Sequence, residues 1–154
     1  MSDARQVLIA DVGSAVQAYQ RSTDALDDVA AGLLGVNRRD LRCLDWLSGG
    51  PMTAGQVTEA IGLSSAATTT LLDRLEGKGL VRRLHDPADR RKVLVEMTEL
   101  GKRLTGEIYG PLAREGAGML EQYSDDQLIL VREVVDASRQ LTDDHRTRIQ
   151  DNVG

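Results

Sequence analysis

Three residues, Gly62, Leu63 and Ser64, are all that separates two helical segments near the middle of this chain, and only a tight corner fits such a gap. The first segment opens at Thr53, where Gln56 three places on completes a capping box. It turns Val57 and Ile61 inward before Gly62 ends it. Ser64 caps the second segment, whose Thr68, Leu71, Leu72 and Leu75 recur at the spacing of one buried helix face. Gly77 and Gly79 follow as residues tolerant of positive φ. Two short helices joined this way have the spacing of a helix-turn-helix, a unit that also occurs in purely structural bundles. What comes next decides between the two. Residues 80–85 (LVRRLH) and 92–97 (KVLVEM) are apolar-rich runs of strand length, and DPADRR between them supplies Pro87 and two aspartates for a turn. A helix-turn-helix leading directly into a β-hairpin is a winged helix, expected here over residues 37–98.

The flanks are helical. From Val7 onward Leu8, Val12, Val16, Tyr19, Leu26, Val29 and Leu33 stripe one long amphipathic helix that ends near Gly35. Asn37 caps another, with Leu41, Leu44 and Leu47 inward and Gly49, Gly50 and Pro51 to stop it. After Thr98 a long helix carries Leu100, Leu104, Ile108 and Leu112 and is expected to bend at Gly110 and Pro111. Ser124 and Gln127 then cap a last helix, striped by Leu128, Val131, Val134, Val135 and Leu141, with a polar tail after Thr142 expected to fray. The fold class is therefore mainly α with a small β-hairpin. The terminal helices, residues 1–36 and 99–154, find no sequence partner inside the winged helix, so their apolar faces are expected to bury against each other and a second copy as a homodimer.

Charge locates the surface of interest. The whole chain is −5, but between Ser64 and Thr98 seven Lys or Arg face five acids, which makes that segment +2 and leaves −7 for the remainder. A basic surface on an acidic body points to a polyanion, and Arg90, Arg91 and Lys92 crowd the hairpin tip. No run approaches the roughly 18 apolar residues of a membrane span. The N-terminus lacks the pattern of a signal peptide, and the cytoplasm is the expected compartment. The single cysteine, Cys43, excludes an internal disulfide and a cysteine-built zinc site. His85 and His145 have no second ligand at metal spacing, and neither a metal nor another cofactor is expected.

The run Asp89-Arg90-Arg91-Lys92-Val93-Leu94-Val95-Glu96-Met97-Thr98 resembles the wing pattern D-x-R-x5-L-T of the MarR transcriptional regulators, with Met97 in place of leucine. The glycines and leucine of residues 76–91 add to the likeness. Helix order is similar over nearly the whole chain, and motif similarity is confined to its central third. The resemblance implies a homodimeric DNA-binding repressor or activator that recognises a palindromic operator and is often released by a small aromatic or phenolic effector or by cysteine oxidation. It also implies that Asp89 holds Arg91 in line for the minor groove.

Physical chemistry supports those roles. An extended guanidinium fits the narrow, electronegative minor groove of A/T-rich DNA, the place expected for Arg91, while Arg90 and Lys92 suit phosphates. On the second helix the face opposite the leucines is Ser65, Ala66, Thr69, Thr70 and Asp73, with Arg74 at its edge. Small and hydroxyl side chains let a helix sit deep in the major groove. Many family members carry arginine where Thr70 stands, so this chain is expected to rely more on its wing and on DNA shape. Cys43 reads as a small core residue rather than a sensor. Trp46 is a candidate for lining an effector pocket and equally a packing anchor. No phosphate loop, nucleophile elbow or histidine pair suggests an enzyme. The alternative is a winged helix that binds protein without DNA, for which a basic tip is unnecessary.

Overall fold

A computed structural model describes residues 3–153. In chain order it contains α1 (Asp3–Leu34), α2 (Arg38–Ser48), β1 (Met52–Thr53), α3 (Ala54–Ile61), α4 (Ser65–Gly77), β2 (Val81–His85), β3 (Val93–Met97), α5 (Glu99–Leu120) and α6 (Asp125–Val153). The expected winged helix is present, and its strands form one antiparallel sheet in the order β1-β3-β2. The hairpin pairs Val81 with Met97 and His85 with Val93. A third strand was not foreseen: Met52 and Thr53 pair with Val95 and Leu94 and close the outer edge of β3.

Local chemistry fixes each boundary. Asn37 accepts from the backbone N–H groups of Arg39 and Asp40, and Asp40 returns a bond to the Asn37 N–H, so α2 opens on a complete capping box. Thr53 and Gln56 do the same for α3. Gly62, at φ +71°, makes the corner into α4 in the left-handed conformation where a side chain is disfavoured. At the end of α4 only Gly79 has positive φ, because Gly77 is still helical.

The chain divides into two compact units, residues 1–108 and 109–154. The core of the first joins Cys43, Leu44 and Leu47 of α2, Val57 of α3, Leu71, Leu72 and Leu75 of α4, and Leu80, Val81, Val95 and Met97 of the hairpin. Each fully buried leucine contributes roughly 1.5–3 kcal/mol, so this cluster is what holds the winged helix together. The hairpin root is tied to the start of α5 through Thr98, by both its backbone and its hydroxyl. Thr98 N donates to Leu80 O at 3.0 Å and Thr98 Oγ1 to Gly79 O at 2.6 Å. Gly101 packs so near that a Cβ there would lie 2.3 Å from Leu80 O.

The long helices are different. Of α1 only Ala30 and Ala31 are buried, and Val7, Leu8, Ile9, Val12, Val16 and Tyr19 are exposed in the single chain. In the second unit Leu130, Val134, Val135 and Leu141 of α6 are exposed likewise. Pro111 sits inside α5 without ending it. Beyond Thr142, where fraying was expected, α6 stays helical to Val153, with Asp143 ion-paired to Arg139 and Arg146 at helical spacing. Among the described residues no helix is long and apolar enough to cross a membrane.

Candidate nucleic-acid interface

Helix α4 is held by its buried row and presents the opposite one. Thr68, Leu71, Leu72 and Leu75 are buried, and the Thr68 and Thr58 hydroxyls hydrogen-bond at 3.0 Å, which binds α4 to α3 across the corner. Ser65, Ala66, Thr69, Thr70 and Asp73 remain exposed, as the helical spacing predicts. Thr69 Oγ1 donates to Ser65 O at 3.0 Å and Thr70 Oγ1 to Ala66 O at 3.1 Å. With those protons committed to the backbone, the threonines offer oxygen acceptors and methyl groups, partners for base amino groups and thymine methyls.

Arg74, at the edge of that row, also has a partner within the chain. Its guanidinium donates to both carboxylate oxygens of Asp40, Nη2 to Oδ1 at 2.6 Å and Nε to Oδ2 at 3.3 Å, and so ties α4 to the start of α2. Asp40 is buried and thereby satisfied from two sides, by Arg74 and by the Asn37 N–H. Arg74 thus clasps α4 to α2 while its side chain stays 44% exposed at the edge of the row.

The hairpin tip is ordered by its own aspartates. Asp86 N donates to Lys92 O at 2.9 Å, and Lys92 N to Asp89 O at 2.9 Å. Asp86 Oδ1 accepts from Ala88 N at 2.8 Å, and Asp89 Oδ1 from Arg91 N at 3.1 Å. The contact between Asp89 and Arg91 is thus made through the Arg91 backbone N–H. Arg90, Arg91 and Lys92 are exposed, and among the described residues none of them has an ion-pair partner. Behind the tip the opposite holds. Arg82 pairs across the strands with Glu96 at 2.6 Å. Arg83 reaches back to α4, to Asp73 at 2.7 Å and to Glu76.

The remaining residues carry less. Cys43 is completely buried, and that burial, followed by the nearby Asp40 charge, pushes its thiol up to about 12, so at neutral pH it is protonated and unreactive. Trp46 is 49% exposed, which does not make it a packing anchor within the single chain. It is also not among the residues lining a shallow cleft of about 280 Å³ formed by Leu47, Gly49, Pro51, Met97 and Lys102 with their neighbours. Asp40 and Arg83 are the contributors that sequence patterns did not reveal. Asp40 is 34 residues from its partner Arg74, and Arg83 is 10 from Asp73, distances at which no local periodicity operates.

Comparison with known proteins gives a consistent result. A model described as the MarR family matches residues 34–92. The HTH-type transcriptional regulator YcgE of Bacillus subtilis is 31% identical over 141 residues, covering 89% of this chain and 92% of that one. Among solved structures, a MarR family protein from Bacillus stearothermophilus superimposes with a TM-score of 0.65 at 23% identity, covering 92% of this chain and 99% of that chain. Wild-type MarR of E. coli in its apo form gives 0.56 at 20% identity, covering 82% and 95%.

Proposed function

This chain belongs to the MarR family of helix-turn-helix transcriptional regulators, DNA-binding proteins rather than enzymes, and on that premise we propose that it is a homodimeric cytoplasmic repressor that recognises a palindromic operator. Residues 37–98 form the reading head. Residues 1–36 and 99–154 carry the dimer contacts. The observation that carries this reading is the state of the wing tip: three adjacent cations, in a turn ordered by backbone bonds and without an ion-pair partner among the described residues. Arg91 enters the minor groove while Arg90 and Lys92 meet phosphates, and Asp89 sets the turn. Ser65, Ala66, Thr69 and Thr70 face the major groove, and Arg74 fixes the angle of their helix. A winged helix that binds only protein would have no use for such a tip.

The exposed apolar rows of α1 and of α6 supply what a two-fold interface needs, since faces of that size do not stay in water on a monomer. Light scattering at micromolar concentration is expected to give a dimer, and footprinting an inverted repeat with half-sites about 10 base pairs apart. A monomer that binds a lone half-site tightly overturns this reading. For the effector, a small aromatic or phenolic compound stacking on Trp46 would release operator only by its preference for the DNA-incompetent arrangement. Emission of Trp46, the chain's one tryptophan, would report it, and equal ligand affinity with and without operator would exclude it.

A further inference from the structure

Helix α4 carries an electrostatic defect for the task proposed above. Asp73 lies three and four residues beyond Thr70 and Thr69, and so continues the row offered to DNA. Glu76 lies one position short of a further turn. Both side chains are open to solvent, Asp73 at 61% and Glu76 at 42%. Two carboxylates on a helix in the major groove face the phosphates of both flanking strands, and the repulsion lowers affinity for every sequence. The helix's own cation does not cancel them, because Arg74 is turned onto Asp40 in α2.

The cation that does meet them comes from the wing. Arg83 in β2 puts Nη2 2.7 Å from Asp73 Oδ1 and Nη1 against Glu76 Oε2, while its backbone N–H donates to Glu76 Oε1 at 3.2 Å. Its side chain is only 28% exposed, so it is folded against the helix and not extended towards a ligand. With Arg74 and Asp40 offsetting each other, Asp73 and Glu76 carry −2 by themselves and −1 once Arg83 is counted in. Exposed ion pairs contribute little to stability. One arginine spanning two acids of the reading helix therefore does more for the field that DNA meets than for the fold.

Resting on the DNA-binding reading, we propose that Arg83 is a positioning residue that sets operator affinity without touching DNA, by halving the negative charge that Asp73 and Glu76 put on the exposed face of α4. Removing it leaves two bare carboxylates beside the phosphates. The effect is a screened repulsion, so it shrinks as salt rises. A lost packing contact would not shrink in that way, and a lost phosphate contact would not depend on Asp73 and Glu76.

The test is a thermodynamic cycle on the full-length protein, using a duplex enriched by the wild type from a random-sequence pool and a scrambled counterpart. Arg83→Met is expected to weaken binding to both about tenfold at low salt, with most of the deficit gone at several times that salt concentration. In the Asp73→Asn/Glu76→Gln background the same substitution is expected to change affinity less than about twofold. An equal loss in both backgrounds, or a loss constant across salt, overturns the proposal. If Arg83→Met melts below the assay temperature, Asp73→Asn/Glu76→Gln alone carries the test. It should bind both duplexes at least as tightly as wild type, and weaker binding overturns the proposal by giving one of those acids a favourable role at the DNA. Failure of the wild type to enrich any duplex would instead sink the DNA-binding reading itself.

Discussion

The base and the tip of one hairpin use the same residue types to opposite ends. At the base, Arg82 and Arg83 are each satisfied by acids of the chain, Glu96 in one case and Asp73 with Glu76 in the other. At the tip, Arg90, Arg91 and Lys92 have none among the described residues, although Asp86 and Asp89 stand within a few residues. Those aspartates are occupied with backbone N–H groups. The difference teaches where to look for function in a basic segment. Arginine count alone would rank both regions equally, whereas the destination of the neighbouring carboxylates separates cations that build from cations that wait for a ligand.

Substitution of Arg91 should break this contrast most visibly. Arg91→Ala is expected to cost operator binding roughly 1–3 kcal/mol and to abolish any preference for A/T-rich flanks, with the melting temperature unchanged. Titration against operator and scrambled duplexes, beside a thermal melt, reads both. Wild-type affinity for both duplexes in that variant would make the free tip an ornament. Next in size are Arg90→Ala and Lys92→Ala. Each should weaken all sequences alike and reduce the slope of log affinity against log salt by about one unit, the signature of one lost phosphate contact. A change in base preference instead would move those side chains from the backbone to the groove. The smallest effect belongs to Arg82 at the base. Breaking its exposed pair with Glu96 by Arg82→Ala should cost at most ~1 kcal/mol of unfolding free energy and leave the salt slope as it was. A fall in that slope would show that base and tip share one job after all.

Much of this architecture is legible in the sequence because it is local. The caps at Asn37, Thr53, Ser64 and Ser124, the leucine row of α4 and the turn at DPADRR all act within four or five residues, and each appears where its pattern predicts. What escaped is long-range or apolar-poor. Strand β1 has two residues and exists only because β3 offers an edge, so it has no periodicity to read. The end of α6 lacks an apolar stripe and is held instead by spacing of opposite charges around Asp143. In the candidate site, the exposed row of α4 and the basic tip follow from pattern. The diversion of Arg74 onto Asp40 does not, because it depends on which way two distant helices face once the core has closed.

The contact at Gly101 has a consequence for how this protein can vary. Because Leu80 O sits where a Cβ would be, the seam between hairpin root and α5 is backbone against backbone, and no larger side chain can be trimmed or rotated to fit it. Positions of that kind offer no graded series of substitutions. Neighbouring Lys102 and Arg103, both exposed, can drift through many residues at little cost, whereas position 101 admits one residue or demands that the seam be rebuilt. The mutational freedom of α5 is thus sharply uneven within a single turn, and its least tolerant site is a glycine, although others along the same helix, such as Gly106, face open space.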